Sequence, residues 1–472
     1  MSSAASSLSS LLSSASASPS SLDLSSILEA ALGASSEGID VTAAVNAGVS
    51  AAEAPEEAWE AQESTLQDQT SAINQLQTDA TSVENDLQSL NDISGPLSAA
   101  TVSSSDSTVI SASAASGTAS GDHVVVVNSL ATTDSWTSGT FSSASTALPA
   151  GSFTITTGSG ATETITTDGT DSLSDVASEI NNDDLGVTAS VITDSTGARL
   201  AIVSNTSGSA ANFTISSPDS ADFGFTQAVT GADASITVDG IQISSASNTV
   251  TNAISGVTLN LLSADPGTEV SLSIAPNSSE ASTAINQFVT DYNTLIQAVN
   301  SQFDDTGSGQ GVLATDPDMR NLQSDLESAI GYTSTSSSGT VSSLASMGIT
   351  VNSDGTLSVD SSTLNSALEN NFSDVQNFFQ GSALNGFANS LGQQLNTFTD
   401  SSDGAFTVDL QSISTETSEL QSDITNFQNN VITPLQTQLQ SEYSQAEIAL
   451  QELPNEMKEI DAELGENNNS SN

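Results

Sequence analysis

The sequence predicts a multidomain α+β protein, with terminal heptad helices forming a coiled-coil leg and a helical body carrying nested antiparallel β-rich head domains. Three observations predict it. Apolar residues repeat in heptads near both ends of the chain, the stretch from about 100 to 275 alternates with a period of two, and a broad apolar helical face returns at 279–303.

Residues 1–37 are Ser and Ala rich with scattered Leu, too little apolar material to hold a fold, and are expected to be a disordered tail. Residues 38–96 are expected to be the N-terminal leg helix. Trp59, Leu66, Ile73, Ala80 and Leu87 take one heptad seam position, and Gln62, Gln69, Leu76, Val83 and Leu90 take the other. Gly95-Pro96 ends the pattern, because glycine weakens a helix and the residue before proline is pushed towards extended conformations.

Residues 410–472 mirror this arrangement as a C-terminal coiled-coil leg helix. Leu410, Ile413, Thr417, Leu420, Ile424, Phe427 and Val431 step by three and four in turn. After Pro434 the register slips by one residue and resumes as Leu439, Tyr443, Ala446, Leu450, Leu453, Met457, Ile460 and Leu464, with a kink expected at Pro454. Both seams are covered if the N-terminal helix packs on the C-terminal one, or if each packs on copies in neighbouring subunits. Trp59, Leu66, Ile73, Leu76, Val83, Leu87, Leu90, Leu420, Ile424, Phe427 and Val431 are the candidate seam and oligomerisation residues.

Between these helices, 97–275 reads as β-rich head domains, with an inner part at about 123–230 nested in 97–122 and 231–275. One helix interrupts the strands, carrying Leu173, Val176, Ala177 and Ile180 on one face. The stretch "ITDSTGARLAIVSNTSG" belongs to a hairpin whose turn holds Asp194 and Gly197, with Arg199, the first cationic side chain of the chain, just past it. Residues 276–409 are expected to form the helical body, with Ile285, Phe288, Val289, Tyr292, Leu295, Ile296 and Val299 on a broad apolar face. A hairpin at 347–360 interrupts the body, its Ser353-Asp354-Gly355 turn joining Ile349 and Val351 to Leu357 and Val359.

Composition narrows the function. Asp and Glu total 57, Lys and Arg total 3, and the formal charge is −54, so the imbalance lies in missing bases. Phosphate backbones and anionic lipid heads would repel this surface, which argues against nucleic acid and against membrane surfaces. Cysteine is absent, which rules out disulfides and thiolate chemistry. No apolar run is long enough to span a membrane, and the start lacks the basic and apolar regions of a Sec signal, so no membrane insertion is expected. Few ion pairs stand to be lost on acidification, and with three fixed cations the chain carries almost no net charge once its acids are protonated, so the head is expected to keep its melting temperature or gain stability between pH 7 and about pH 3.5 at low salt.

Catalytic patterns fail in turn. His123 is the only histidine, which excludes a two-histidine metal site, and at the head of the "HVVVV" strand it reads as structural. "GSGQG" has no following Lys-Ser or Lys-Thr, and "NSDGT" lacks the first Asp and the last Glu of an EF-hand. Adjacent carboxylates such as Asp183-Asp184 and Asp304-Asp305 read as solvated loop residues. No enzyme activity, catalytic residue, cofactor or metal is expected.

Taken in order, the segments resemble the family of flagellar filament-capping proteins, also called hook-associated protein 2. "GIDVTAAVNAGVSAAEAP" is similar to that family's N-terminal motif, and "SLSDVASEINNDDLGVTASVITDSTGARLAIVSNTSG" follows its helix, strand, Gly turn and Arg-Leu pattern. Arg199 then stands as the retained cation of that hairpin. "ITVDGIQISSASNTVTNAISGVTLNLLSADPGTEVSLSI", "INQFVTDYNTLIQAVN", "LASMGITVNSDGTLSVDSSTLNSAL" and "VQNFF" carry the resemblance onward, over about 38–450. The acidic Glu56-Glu57 departs from a family that often has Arg or a large apolar residue there, and 1–37 looks like an added tail. The resemblance implies a secreted, extracellular homo-oligomer, commonly a pentamer, at the distal tip of the bacterial flagellum. It further implies flagellin, the flagellar type III export apparatus and an export chaperone as partners, and a host or surface receptor where such caps also adhere. A bacterial surface adhesin with Ser/Thr-rich β domains is the second reading.

Overall fold

The computed structural model describes residues 40–217, 223–304, 310–334 and 339–469, with side chains described up to Glu459. The expected tail at 1–37 and the side chains of Ile460 and Leu464 lie outside these residues. The chain divides into a terminal unit, which takes the described residues up to Thr78, 299–320 and 397 onwards, and a central unit of 79–298 and 321–396.

Among the described residues the first two helices are α1 (Val41–Ala52) and α2 (Ala54–Asn91), where a single leg helix was expected. They part at Glu53, which closes α1 by donating its N–H to Val49 O, and Pro55 falls in the first turn of α2, where its missing N–H costs nothing. At the far end of α2, Gln380 donates its amide to Leu90 O at 3.2 Å and to Asp92 O at 3.1 Å, the latter also accepting from Gly95 N.

The β region of the central unit is built at two levels. At the outer level, β1 (Ala100–Ser104), β3 (Gly121–Ser129), β11 (Ala234–Val238), β12 (Ile241–Ser245) and β15 (Val270–Pro276) form one antiparallel sheet in the order β1-β15-β3-β11-β12. A second sheet of β2 (Ile110–Ala114), β13 (Thr249–Ile254) and β14 (Val257–Leu261) shares its core, where Ile110, Val125, Val127, Ile236, Leu259 and Leu272 are buried. The first and last strands lie side by side, Ala100 opposite Pro276, so the chain enters and leaves this domain at one place.

The inner level repeats this design, its ends closed by a bridge between Thr132 and Ala232. It holds β4 (Thr133–Thr137), β7 (Val187–Asp194), β8 (Gly197–Ser207) and β10 (Thr226–Val229) in one sheet, and β5 (Gly151–Thr157), β6 (Thr162–Thr167) and β9 (Phe213–Ser216) in another. Between β6 and β7 runs α3 (Leu173–Asn182), started by a reciprocal cap between Ser172 and Asp175 and buried through Leu173, Val176, Ala177 and Ile180. The inner boundary corrects the expected one. His123 to Ser129 belong to β3, which pairs with β15 and β11 of the outer sheet, so the divide falls near Leu130. His123 Nδ1 lies 2.7 Å from Asp239 Oδ2 at that strand's head.

The helical part of the central unit draws on α4 (Ser278–Phe303), α5 (Pro317–Ile330), α6 (Ser361–Asn370), α7 (Phe372–Gln380) and α8 (Phe387–Thr399). Phe288, Tyr292, Phe378, Phe379 and Phe387 cluster there, Phe378 stacking on Phe387 at 5.4 Å between centroids. The hairpin of β16 (Ile349–Val351) and β17 (Leu357–Val359) is clamped to α4 by Asn293, whose amide donates to Leu357 O at 2.8 Å while its oxygen accepts from Leu357 N at 2.6 Å. Burial in this core, then the hydrogen bond and charge of Asp291, push Asp86 up to about 7.

Three turns of the β region share one device, an Asp whose oxygen accepts from the backbone and hydroxyl of a Thr two residues on. Asp106 bonds Thr108 at 3.0 and 2.6 Å, Asp168 bonds Thr170 at 2.8 and 2.6 Å, and Asp194 bonds Thr196 at 2.6 and 2.5 Å. These bonds, the hydroxyl first, hold all three carboxyls below the usual value. A lowered carboxyl contributes stability that is present above the unfolded value of about 3.9 and is lost as pH falls through the folded one. The expectation of full acid tolerance, reasoned from ion pairs, therefore changes: what acid removes here is turn hydrogen bonds. In a Trp59→Phe chain, where Trp136 reports on the inner β domain, the melting temperature is expected to stay level from pH 7 to about 4.5 and to fall below about pH 4. An unchanged melting temperature at about pH 2.5 would refute this.

Candidate functional site

The terminal unit brings the two ends of the chain together. Val45 and Val49 of α1 bury against Ile432, with Val41, Ala52, Phe427, Leu439 and Tyr443 packed around them. Asp40 caps α1 by accepting from Ala43 N at 3.0 Å, and Leu439 Cδ1 sits 2.8 Å from where a Cβ on Gly48 would lie. Next along the chain, Trp59 of α2 meets Phe427 edge to face at 5.4 Å, on α9 (Ala405–Phe427). The helices run antiparallel: Gln428 donates to Glu56, Gln421 donates to Glu63 at 2.6 Å, and Gln62 donates to Glu416 at 2.9 Å. Amides thus hold the carboxylates that no cation is available to pair. Gln69, the other polar seam residue, donates to Val312 O at 3.1 Å.

Of the expected seam residues, Leu66, Ile73 and Leu76 are buried in the terminal unit and Val83, Leu87 and Leu90 in the central one. Leu420 is buried, Ile424 and Phe427 are half-buried, and Val431 is 44% exposed. Val431 is a correction to the expected seam. Residues Gln428–Ile432 form a single π turn, in which Thr433 N–H reaches back five residues to Gln428 O. Pro434 has no N–H for the normal ladder, and the wide turn just before it takes up one extra residue. The register slip therefore comes before Pro434, not after it; Val431 turns outward and Ile432, 8% exposed, takes the buried place. From there α10 (Thr433–Asn469) is helical across Pro454.

The hairpin residues form separate structural sites in the central unit. Gly197 is required by its φ of 138° and by Phe141 O, 2.2 Å from where a Cβ would stand. Arg199 is exposed and acts on Asp194 only through its charge. Asp354 accepts from Thr356 at 3.0 and 2.6 Å, and Gly355 has a φ of 81°.

The sequence reading missed α1, Ile432, the Glu56 and Glu63 partners and one acidic cluster. Buried positions Ala44, Val45, Gly48 and Val49 recur at helical spacing and mark α1, but small residues blur the signal. Asp316, Asp318 and Asp409 are half-buried, and their carboxylates come within 4.8 Å of one another, an arrangement whose chemistry would suit a cation. Burial, then the charges of Asp316 and Asp318, raise Asp409 to about 6, and burial raises Asp316.

Helices from near both ends of the sequence, paired in one unit, with nested β domains inserted between them define a multidomain α+β class of protein. The comparisons with known proteins give the family. The model for the flagellar hook-associated protein 2 N-terminus matches residues 37–134, that for its C-terminus matches 231–455, and the flagellin hook IN motif matches 152–206. The B-type flagellar hook-associated protein 2 of Pseudomonas aeruginosa is 28% identical over 371 residues, 72% of this chain and 77% of the relative. The flagellar hook-associated protein 2 of Escherichia coli is 28% identical over 332 residues, 64% of this chain and 70% of the relative. The crystal structure of the D1-D2-D3 domains of the Escherichia coli flagellar cap protein superposes with a TM-score of 0.58 at 28% identity, covering 74% of this chain and 99% of that one. The chain belongs to the flagellar hook-associated protein 2 family.

Two measurements test the site. In a Trp136→Phe chain, where Trp59 reports on the paired ends, Ile432→Ser is expected to cost about 2 kcal/mol and Val431→Ser less than about 0.5 kcal/mol; equal costs would return the seam to Val431. Asp409 has a raised pKa, so its stabilising contribution is complete below about 4 and is lost as pH rises through about 6. In chelator, Asp409→Asn is expected to melt higher than the parent at about pH 7.5 and level with it at about pH 4. The same gap at both pH values would show that the carboxyl is not the titrating group.

Proposed function

We infer that this protein works by shape and reversible contact, as a cap on the distal, extracellular end of a flagellar filament. Membership of the cap family supports capping and disfavours the adhesin reading. The observation that carries the mechanism is the seam between α2 and α9, where three Gln–Glu hydrogen bonds interrupt the apolar contacts of Trp59, Phe427 and the buried Leu420. Such a seam holds less tightly than continuous apolar heptads, and its members exchange partners at small cost. It suits a leg that must release and reseat each time the filament grows by a subunit. In this reading the central unit supplies the body and head, copies of the chain form a ring, with five as the expected number, and flagellin folds and joins beneath it. Passage through the flagellar type III channel with an export chaperone accounts for the route outward, and among the described residues no helix is long and apolar enough to cross a membrane.

Deleting the gene is expected to leave cells without filaments and to release flagellin into the medium, with full recovery on complementation. A Leu420→Ser, Ile424→Ser double variant is expected to be exported with its head folded yet to fail to restore filaments, because a fully buried seam side chain such as Leu420 loses about 1.5–3 kcal/mol and the half-buried Ile424 less. Filaments of normal length from that variant would show that the seam is not used in capping.

A further inference from the structure

The inner β domain has two unlike sides. Its sheet of β10, β4, β8 and β7 packs one face on the core through Trp136, Ala189, Leu200 and Ile202, and the alternate residues turn outward. Strand register fixes what that outer face carries. Ser190, Ala201, Thr137 and Thr226 stand side by side in one row. Thr188, Val203, Ser135 and Val229 form the next. Neither row holds a carboxylate, in a chain with 57 acids. Ile192, 57% exposed, pairs with Arg199 at the end nearest the turn. The first acid met there is Asp194, whose Oδ1 is already taken by the N–H and hydroxyl of Thr196. Arg199 is the only base of the inner domain, is exposed, and has no carboxylate in ion-pair contact among the described residues.

Acids gather instead on the side of α3. That helix buries Leu173, Val176, Ala177 and Ile180 in the core, so it lies on the core side of the sheet and turns its exposed residues away from the outer face. Glu179 stands among them, and burial, then the charges of Asp183, Asp171 and Glu163, raise its carboxyl. The domain has no second base to relieve this crowding.

Electrostatics selects the contact that two copies can make. Chains of formal charge −54 repel each other, so an interface costs least where one side brings no carboxylate and the other brings carboxylates in want of a cation. The two sides of the inner domain meet these conditions. Because they are different surfaces, their contact is head-to-tail, the kind that closes rings.

We propose that the outer face of the β10-β4-β8-β7 sheet docks on the α3 side of the inner domain of a second copy, where Arg199 reaches the carboxylates of Glu179 and Asp183 and Ile192 is covered beside it. This contact rests on the reading that copies form a ring, and it supplies Arg199 with the partner that its own chain withholds.

Single-cysteine chains test it directly, since the parent has no cysteine. In a mixture of full-length Ile192→Cys and Asn182→Cys chains, disulfides between the two variants are expected to form about tenfold faster than disulfides within either. Arg199→Glu is expected to keep the parent's melting temperature, read from Trp136 with Trp59→Phe, while the concentration at half-assembly in sedimentation rises about tenfold. Glu179→Arg with Asp183→Arg in that same chain is expected to restore assembly. Ile192→Cys chains that link only to themselves, an Arg199→Glu chain that assembles like the parent, or a charge exchange that restores nothing would each overturn this contact and leave the ring standing. A parent that stays monomeric at every concentration would overturn both.

Discussion

The architecture depends on closing each insertion at its own mouth. The inner β domain enters and leaves beside the Thr132–Ala232 bridge, the outer one beside the β1–β15 pair, and the whole chain beside the contacts of α1 and α2 with α9 and α10. A domain whose ends are held together loses less chain entropy when its interior folds, since its loops are already closed. Strand pairs close the two β levels. Side chains close the outermost.

The second governing condition is the shortage of cations. With 57 acids and 3 bases, most carboxylates must be solvated, protonated or bonded to neutral donors. All three outcomes occur. Thr hydroxyls and backbone N–H groups hold Asp106, Asp168 and Asp194, Gln amides hold Glu56 and Glu63, and burial keeps Asp86 and Asp409 partly protonated near neutrality. The turns and the helices thus answer acid in opposite senses, a difference that net charge alone does not reveal.

Much of this was legible in the residues. The α4 face, the α3 helix and the two Gly-containing hairpins carried strong periodicity or turn chemistry, and burial of Leu66, Ile73, Leu87 and Leu420 follows the heptads. What escaped the reading did so for physical reasons. Ala44 and Gly48 in α1 bury little area, so no hydrophobic stripe announces that helix. The π turn hides in a run with no unusual residue except Pro434, and only hydrogen-bond geometry separates Ile432 from Val431. Strand β3 was assigned to the wrong domain because alternation reports that a strand exists, not which neighbour it pairs with.

The Gln–Glu seam also bears on the medium in which the protein works. An ion pair between exposed helices weakens as ionic strength rises, because mobile counterions screen both partners over a Debye length of about 8–10 Å. Each bond in this seam joins one charge to a neutral amide, so there is little attraction for dissolved salt to screen. At the filament tip, outside the cell, no homeostasis fixes the salt around the leg, and because α2 and α9 carry acids such as Glu63 and Glu416 and no base, salt screens only their mutual repulsion, so the seam grips at least as well in brine as in dilute water.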